Sequence, residues 1–83
     1  MAGDVISLTA VAPDGTEKKI SCRYVSLPAV NGSLGILANH APMLCALSKG
    51  NIVCRMNSGT TETIAVSGGV AQVYKNTVTV LLS

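Results

Sequence analysis

Clusters of turn-forming residues recur along the sequence at short, even intervals. Proline and glycine stand together in a predicted hairpin turn at residues 13–15, and further turns are predicted at 57–59, 67–69 and 75–76. The segments between these turns are rich in β-branched residues, and none has apolar residues at the 3.6-residue period of a helix. The sequence therefore predicts an all-β fold, either a sandwich or a barrel.

Apolar and polar side chains alternate most clearly over residues 17–25, which predicts a single strand with one wet face. The apolar face of this strand comprises Ile20, Cys22 and Tyr24. Residues 28–42 differ, because proline, glycine and asparagine recur so often there that mostly turns with very short strands are expected. Further strands are predicted at 6–10, 43–47, 52–56, 60–66, 70–74 and 77–82.

The length of 83 residues suits one small domain, spanning 1–83, and not two. Six basic against four acidic side chains leave a net charge of +2, too weak for a nucleic-acid-binding surface. Tyr24 and Tyr74 are the only aromatic residues, so stacking platforms for bases are nearly absent as well. Charged residues make up 12% of the chain and apolar residues 48%, which indicates a surface partly covered by a larger assembly.

Three cysteines, Cys22, Cys45 and Cys54, make an odd number without the C-x-x-C spacing or the paired histidines of a zinc site. We therefore expect buried, reduced thiols and no metal or other cofactor. The N-terminus has no basic region followed by a long apolar stretch, and no apolar run reaches membrane-spanning length. A cytoplasmic location is expected.

His40 is the only histidine in the chain. The side chains that could act with it in catalysis are the four carboxylates, Ser33, Ser48 and Cys45. No motif pairs any of these groups, so a structural role is expected for His40 and no catalytic residue is assigned. The glycines of 32–35 have no helix pattern after them and no lysine nearby, and those of 68–69 lack the residues of a P-loop. These glycines are expected to form bends.

Five short motifs occur in a fixed order along the chain. They are GSLGI at 32–36, NHAPML at 39–44, LSKG at 47–50, VSGGV at 66–70 and NTVTVL at 76–81. In order and spacing they resemble the epsilon subunit of the F-type proton-translocating ATP synthase. Each motif is short, but the five together at these separations are specific, and the resemblance extends over essentially the whole chain.

The resemblance implies the N-terminal domain of that subunit, a flattened β-sandwich of about ten short strands. Such a domain sits beside the foot of the gamma subunit and on top of the c-ring, at the cytoplasmic face of the cell membrane. It belongs to the rotor, couples proton translocation to ATP synthesis and is not an enzyme by itself. Family members usually continue into a C-terminal helical hairpin, and nothing in residues 1–83 matches that hairpin.

The family's functional positions carry over motif by motif. The resemblance implies a loop facing the c-ring, a segment facing gamma and the ring, and a set of structural glycines. The loop facing the c-ring comprises Asn31, Gly32 and Ser33. The segment facing gamma and the ring comprises His40, Ala41 and Pro42, and the structural glycines are Gly35, Gly68 and Gly69. Two positions depart from the family pattern: Ser33 replaces a frequent acidic residue, and Ala38–Asn39 replace a frequent Pro-Gly. Because asparagine tolerates a positive φ, we expect the bend before His40 to survive.

Two other classes of function are compatible with parts of the sequence. A small β-barrel could bind an oligonucleotide or another ligand, although the low charge and the scarcity of aromatic residues oppose this. A fragment of an enzyme could use His40 with a cysteine or serine, which requires one of those side chains within about 3 Å of the imidazole.

Overall fold

The computed structural model describes residues 5–83, and this part of the chain consists of nine β-strands without a helix. In chain order the strands are β1 Ile6–Val11, β2 Glu17–Cys22, β3 Tyr24–Ala29, β4 Gly32–Leu37, β5 Met43–Leu47, β6 Gly50–Arg55, β7 Thr61–Val66, β8 Gly69–Tyr74 and β9 Thr77–Leu82. The predicted all-β class is confirmed.

The strands form one continuous sheet that folds over on itself into two layers. The first layer has the order β2-β1-β9-β8-β5, and the second has the order β4-β3-β6-β7. The layers are joined where β5 and β3 pair through Ala29 and Leu47 alone. All neighbours are antiparallel except β1 and β9, which run parallel.

The core lies between the two layers. Each strand turns alternate side chains inward, so valine, isoleucine and leucine from both layers meet there. No polar or charged side chain is buried among the described residues. The buried set comprises Ile6, Leu8, Ala10, Ile20, Cys22, Val25, Leu27, Ile36, Leu47, Ile52, Cys54, Val66, Ala71, Val73, Val78 and Val80. The interior of the sandwich is therefore stabilised by the burial of apolar side chains.

The loops collect at two opposite ends of the sandwich. The "His40 end" comprises the segments 38–42, 56–60 and 75–76 together with Arg23. At this end the backbone N–H of Arg23 donates a hydrogen bond to the carbonyl oxygen of Arg55. The "Asn31 end" carries the segments 12–16, 30–31, 48–49 and 67–68, with hydrogen bonds from Val30 to Ala46 and from Ser48 to Pro28.

The predicted single strand over 17–25 is wrong, because the chain bends at Arg23. Ile20 and Cys22 are buried as expected, but after the bend the inward positions change to Val25 and Leu27. Tyr24 therefore faces outward, opposite to the prediction. The alternation of apolar and polar residues did not predict this bend. Before the bend the even-numbered residues point inward, and after it the odd-numbered residues do.

The expectation that residues 28–42 form mostly turns is also wrong. Strand β4 occupies Gly32–Leu37, and β3 extends to Ala29 in spite of Pro28. The two strands pair over their whole lengths around a two-residue turn at Val30 and Asn31. Pro28 fits because the proline supplies only its carbonyl, which accepts hydrogen bonds from the backbone and hydroxyl of Ser48.

Candidate functional site

The outward face of strands β1, β9, β8 and β5 carries no charged side chain. Because alternate residues of a strand point to opposite sides, the residues between the buried ones make up this surface, which we call the uncharged face. Its members are Ser7, Thr9, Val11, Leu44, Ala46, Val70, Gln72, Tyr74, Thr77, Thr79 and Leu81. Among residues 5–83, charged side chains border this face at β2, with Glu17 and Lys19, and at the turn between β8 and β9, where the ammonium of Lys75 lies 5.5 Å from the centre of the Tyr74 ring.

Apolar side chains on the uncharged face line up across the strands. Val11 pairs with Leu81, Leu81 with Val70, and Val70 with Ala46. With neighbouring strands about 4.8 Å apart, this row crosses roughly 14 Å of surface. Leu81 is 56% exposed and Leu44, one step further along β5, is 70% exposed. Water thus contacts a continuous apolar strip, which is typical of a protein interface.

The segment predicted to face the c-ring lies at the Asn31 end. Asn31, Gly32 and Ser33 are all exposed, and Gly32, the first residue of β4, has a φ of 121° directly after the turn at Val30 and Asn31. Val30 precedes them with 61% of its surface exposed. The turn therefore projects from the sandwich and presents no charged side chain.

The segment predicted to face gamma and the ring lies at the opposite end of β4. Asn39 has a φ of 66°, so the expected positive-φ bend before His40 is present. The Asn39 N–H donates to Oδ1 of Asn76 at 2.5 Å, and Asn76 Nδ2 donates to Oδ1 of Asn39 at 3.4 Å. This pair ties the loop to the turn between β8 and β9.

His40 hydrogen-bonds within its own loop. Its Nδ1 lies 2.7 Å from the carbonyl oxygen of Ala41, the next residue. Within residues 5–83, no serine or cysteine side chain hydrogen-bonds to the imidazole. The arrangement therefore supplies no activated nucleophile of the kind that an enzyme using His40 would need.

Pro42 connects this segment to the uncharged face. It borders a shallow groove with Leu44 and Tyr74, both members of that face. Tyr74 stands 52% exposed between this groove and a second one lined by Thr77 and Thr79. The predicted gamma-facing segment and the uncharged face are therefore one continuous surface.

The glycines singled out in the sequence have different structural reasons. Gly68 and Gly69 have φ values of 145° and 139°, which side chains rarely adopt. Gly35 has an ordinary φ, but the ring of Tyr24 lies across it, and a Cβ there would meet the Tyr24 hydroxyl at 2.6 Å. Gly35 thus makes room for an aromatic ring on the outer side of the second layer.

All three cysteines are free thiols, with Cys22 and Cys54 buried and Cys45 partly buried. Burial, followed by the neighbouring Cys22, raises the pKa of Cys54 to about 12. Burial also raises the pKa of Cys22 and of Cys45. The three side chains therefore remain thiols at neutral pH and serve as small apolar groups.

Nothing within residues 5–83 brings three His, Cys, Asp or Glu side chains together in a way that could hold a metal ion. The same residues contain no helix long and apolar enough to cross a membrane.

The uncharged face was not predicted from the sequence. The sequence nevertheless contains a sign of this surface, because the segments at 70–74 and 77–82 carry apolar residues on both sides of the strand. Val70 and Leu81 lie on the side opposite the buried residues. Without the sheet order, however, these residues could not be assigned to one surface.

Comparison with known protein families gives one match over residues 5–83, to the ATP synthase, Delta/Epsilon chain, beta-sandwich domain. The ATP synthase epsilon chain of Desulfitobacterium hafniense is 43% identical over 81 residues, which cover 98% of this chain and 60% of the relative. That of Bacillus pumilus is 41% identical over 76 residues, covering 92% of this chain and 57% of the relative. The chain thus spans about three fifths of the length of these relatives.

Two solved structures share the fold. A chain in the cryo-EM structure of Euglena gracilis mitochondrial ATP synthase, comprising OSCP, F1 and the c-ring, superimposes with a TM-score of 0.87 at 23% identity and covers 95% of this chain and 51% of that one. A chain in the cryo-EM structure of the central stalk and c-ring of Tetrahymena thermophila mitochondrial ATP synthase superimposes with a TM-score of 0.75 at 18% identity. The superposition covers 93% of this chain and 62% of that one.

Proposed function

Because the chain belongs to the delta/epsilon chain family of the ATP synthase, we propose that it is a non-catalytic docking domain of the central stalk. In this role it joins the gamma subunit to the c-ring and helps to couple proton translocation to ATP synthesis. It is held at the cytoplasmic face of the cell membrane only through the complex. Its partners are proteins, and the role needs no cofactor.

The observation that carries this proposal is the uncharged face. Moving an unpaired Lys or Glu out of water into a permanent interface costs several kcal/mol, so surfaces of obligate complexes favour apolar and small polar residues. Nine of the eleven side chains of the uncharged face are of those kinds, and the other two, Gln72 and Tyr74, are uncharged. We assign gamma to this face because Pro42, in the segment that resembles the gamma-facing loop of the family, borders it.

The second docking element is β4 together with its two loops. Among the nine described strands, β4 pairs only with β3, so none of them covers its other edge. Asn31 and His40 lie beyond opposite ends of this six-residue strand, which is about 20 Å long. Both loops can contact the ring together only if the β4 edge lies along the ring surface. A close-packed sandwich holds such an edge rigid under load, which the transmission of torque requires.

The proposal is tested by purification of the complex from native membranes. A tagged form of the chain is exchanged into membranes depleted of the endogenous epsilon chain, and the detergent extract is captured on the tag. We expect gamma and the c-ring to be retained at stoichiometric amounts after high-salt washing, because apolar contacts resist salt. Capture of neither partner would contradict the docking role.

A substitution at Ser33 tests the orientation of the exposed turn. If the ring loops beneath it present basic side chains, Ser33→Glu should tighten docking by up to about 1 kcal/mol, and high salt should remove most of that gain. Fold stability should be nearly unchanged, because Ser33 is exposed. Affinity for purified gamma and c-ring is measured at low and high ionic strength for both forms. A gain that ignores salt, or a loss, would mean that the turn faces no basic surface.

A further inference from the structure

Both arginines of the chain line a single open cleft at the His40 end of the second layer. The chain contains only Arg23 and Arg55, and both border this space of about 520 Å³. None of the four lysines lines it. Its remaining walls include Tyr24, Leu37 and Met56, so the cleft combines two guanidinium groups with apolar surface.

Local structure places the backbone of Arg23, at the bend before β3, beside that of Arg55, at the end of β6. The backbone N–H of Arg23 donates to the carbonyl oxygen of Arg55 at 2.8 Å. Tyr24 pairs in register with Arg55 on one side and with Leu37 on the other. The guanidinium carbon of Arg55 lies 5.8 Å from the centre of the Tyr24 ring, within the range of a cation–π contact. Arg55 is thereby held over the cleft.

No carboxylate within residues 5–83 lines this cleft. Asp14 and Glu17 lie at the hairpin of the Asn31 end, and Glu62 forms an ion pair with Lys18. The remaining acidic side chain, Asp4, is outside the described residues. Both guanidinium groups therefore attract an anion that enters the cleft.

Resting on the docking role above, we propose that this cleft binds the carboxylate of an acidic segment in the stalk protein on which the domain docks. Guanidinium groups form paired, parallel hydrogen bonds to carboxylates, which lysine cannot do. Guanidinium groups pair with phosphate in the same way, so the apolar lining of the cleft is what favours a peptide carboxylate. Leu37, 63% exposed, favours a segment in which an apolar residue accompanies the acidic one.

The cleft is tested directly by side-chain NMR. With two arginines in the chain, the Nε–Hε region contains two resonances, one for each wall of the cleft. The probes are the peptide acetyl-Glu-Leu-Glu-amide and inorganic phosphate, titrated separately. We expect the peptide to shift both resonances with an apparent Kd at least fivefold below that of phosphate. Absence of a shift, or phosphate binding as tightly as the peptide, would overturn the assignment to a carboxylate.

Matched variants distinguish binding in the cleft from a general effect of positive charge on peptide affinity. Arg23→Gln and Lys19→Gln each remove one positive charge from an exposed side chain, and Lys19 does not line the cleft. Peptide affinity should fall about tenfold in Arg23→Gln and less than twofold in Lys19→Gln. Arg23→Lys, which keeps the charge, should still lose at least threefold, because it loses the paired hydrogen bonds. Equal losses in the Arg23 and Lys19 variants would contradict the proposal.

Binding to purified gamma and c-ring then distinguishes the cleft from the docking role. We expect Arg23→Gln and Arg55→Gln each to weaken stalk binding about tenfold at low salt, with Lys19→Gln unaffected. If the unmodified chain binds the stalk and all three variants bind equally well, the cleft assignment is wrong and the docking role stands. If the unmodified chain does not bind the stalk, the docking role is wrong, and with it the assigned partner.

Discussion

Replacing Gly69 with alanine is expected to destabilise the domain by at least about 3 kcal/mol. Gly69 has a φ of 139°, and a Cβ at this position would overlap the carbonyl oxygen of Leu81 on the neighbouring strand. That oxygen belongs to the backbone of β9 and cannot move without disrupting the pairing of β8 with β9. For a small domain this loss is a large part of the total stability.

Gly59→Ala is the matched control for this prediction. Gly59 also has a positive φ, 90°, but a Cβ there would meet no atom within 4 Å. We therefore expect Gly59→Ala to lower the free energy of unfolding only by the backbone strain of about 1–2 kcal/mol. Both variants are measured by urea unfolding followed by far-UV circular dichroism. Equal destabilisation of the two would show that the close approach to Leu81 has no energetic consequence.

Placing a charge at Val70 is expected to weaken docking on the stalk by at least 100-fold, whichever sign the charge has. Val70 stands in the apolar row between Ala46 and Leu81, so a docked partner would remove its side chain from water. Burying an unpaired charge costs several kcal/mol, and each 1.4 kcal/mol is a factor of ten in affinity. Val70 is 41% exposed in this chain, so folding should change little.

Val70→Glu and Val70→Lys are compared with Thr63→Glu and Thr63→Lys. Thr63 is an exposed outward residue of β7, on the opposite side of the sandwich. Affinity for purified gamma and c-ring is measured for all four, with unfolding curves to confirm that each is folded. Charge complementarity could rescue one Val70 variant but not both. Retained affinity in both, or comparable losses at Thr63, would mean that gamma does not cover the uncharged face.

The alternation of apolar and polar residues, together with the turn-forming residues, was sufficient to predict most of the secondary structure. The strands at 43–47, 70–74 and 77–82 and the hairpin around Asp14 were all predicted, because each depends on neighbouring residues. At that hairpin Oδ1 of Asp14 accepts a hydrogen bond from the backbone of Thr16 at 2.9 Å. The five motifs were enough for the family, and the family match over 5–83 confirms it.

The bend at Arg23 and the length of β4 depended on pairing between distant segments. Strand β4 has glycines at both Gly32 and Gly35, which locally favour turns, yet it is held in extended form by hydrogen bonds to β3. Propensity is worth at most about 1 kcal/mol per residue, so a partner strand readily overrides it.

The uncharged face and the arginine cleft were decided by tertiary structure alone. Val11 and Leu81 are 70 positions apart in the chain and become neighbours only because β1 lies parallel to β9. Arg23 and Arg55 border the same cleft because β3 and β6 pair at that end of the second layer. A sequence determines which side chains alternate along each strand, whereas the order of strands in the sheet determines which of those side chains share a surface. That order is set by how the apolar sides of all the strands can be buried together, a condition on the whole chain that no local pattern contains.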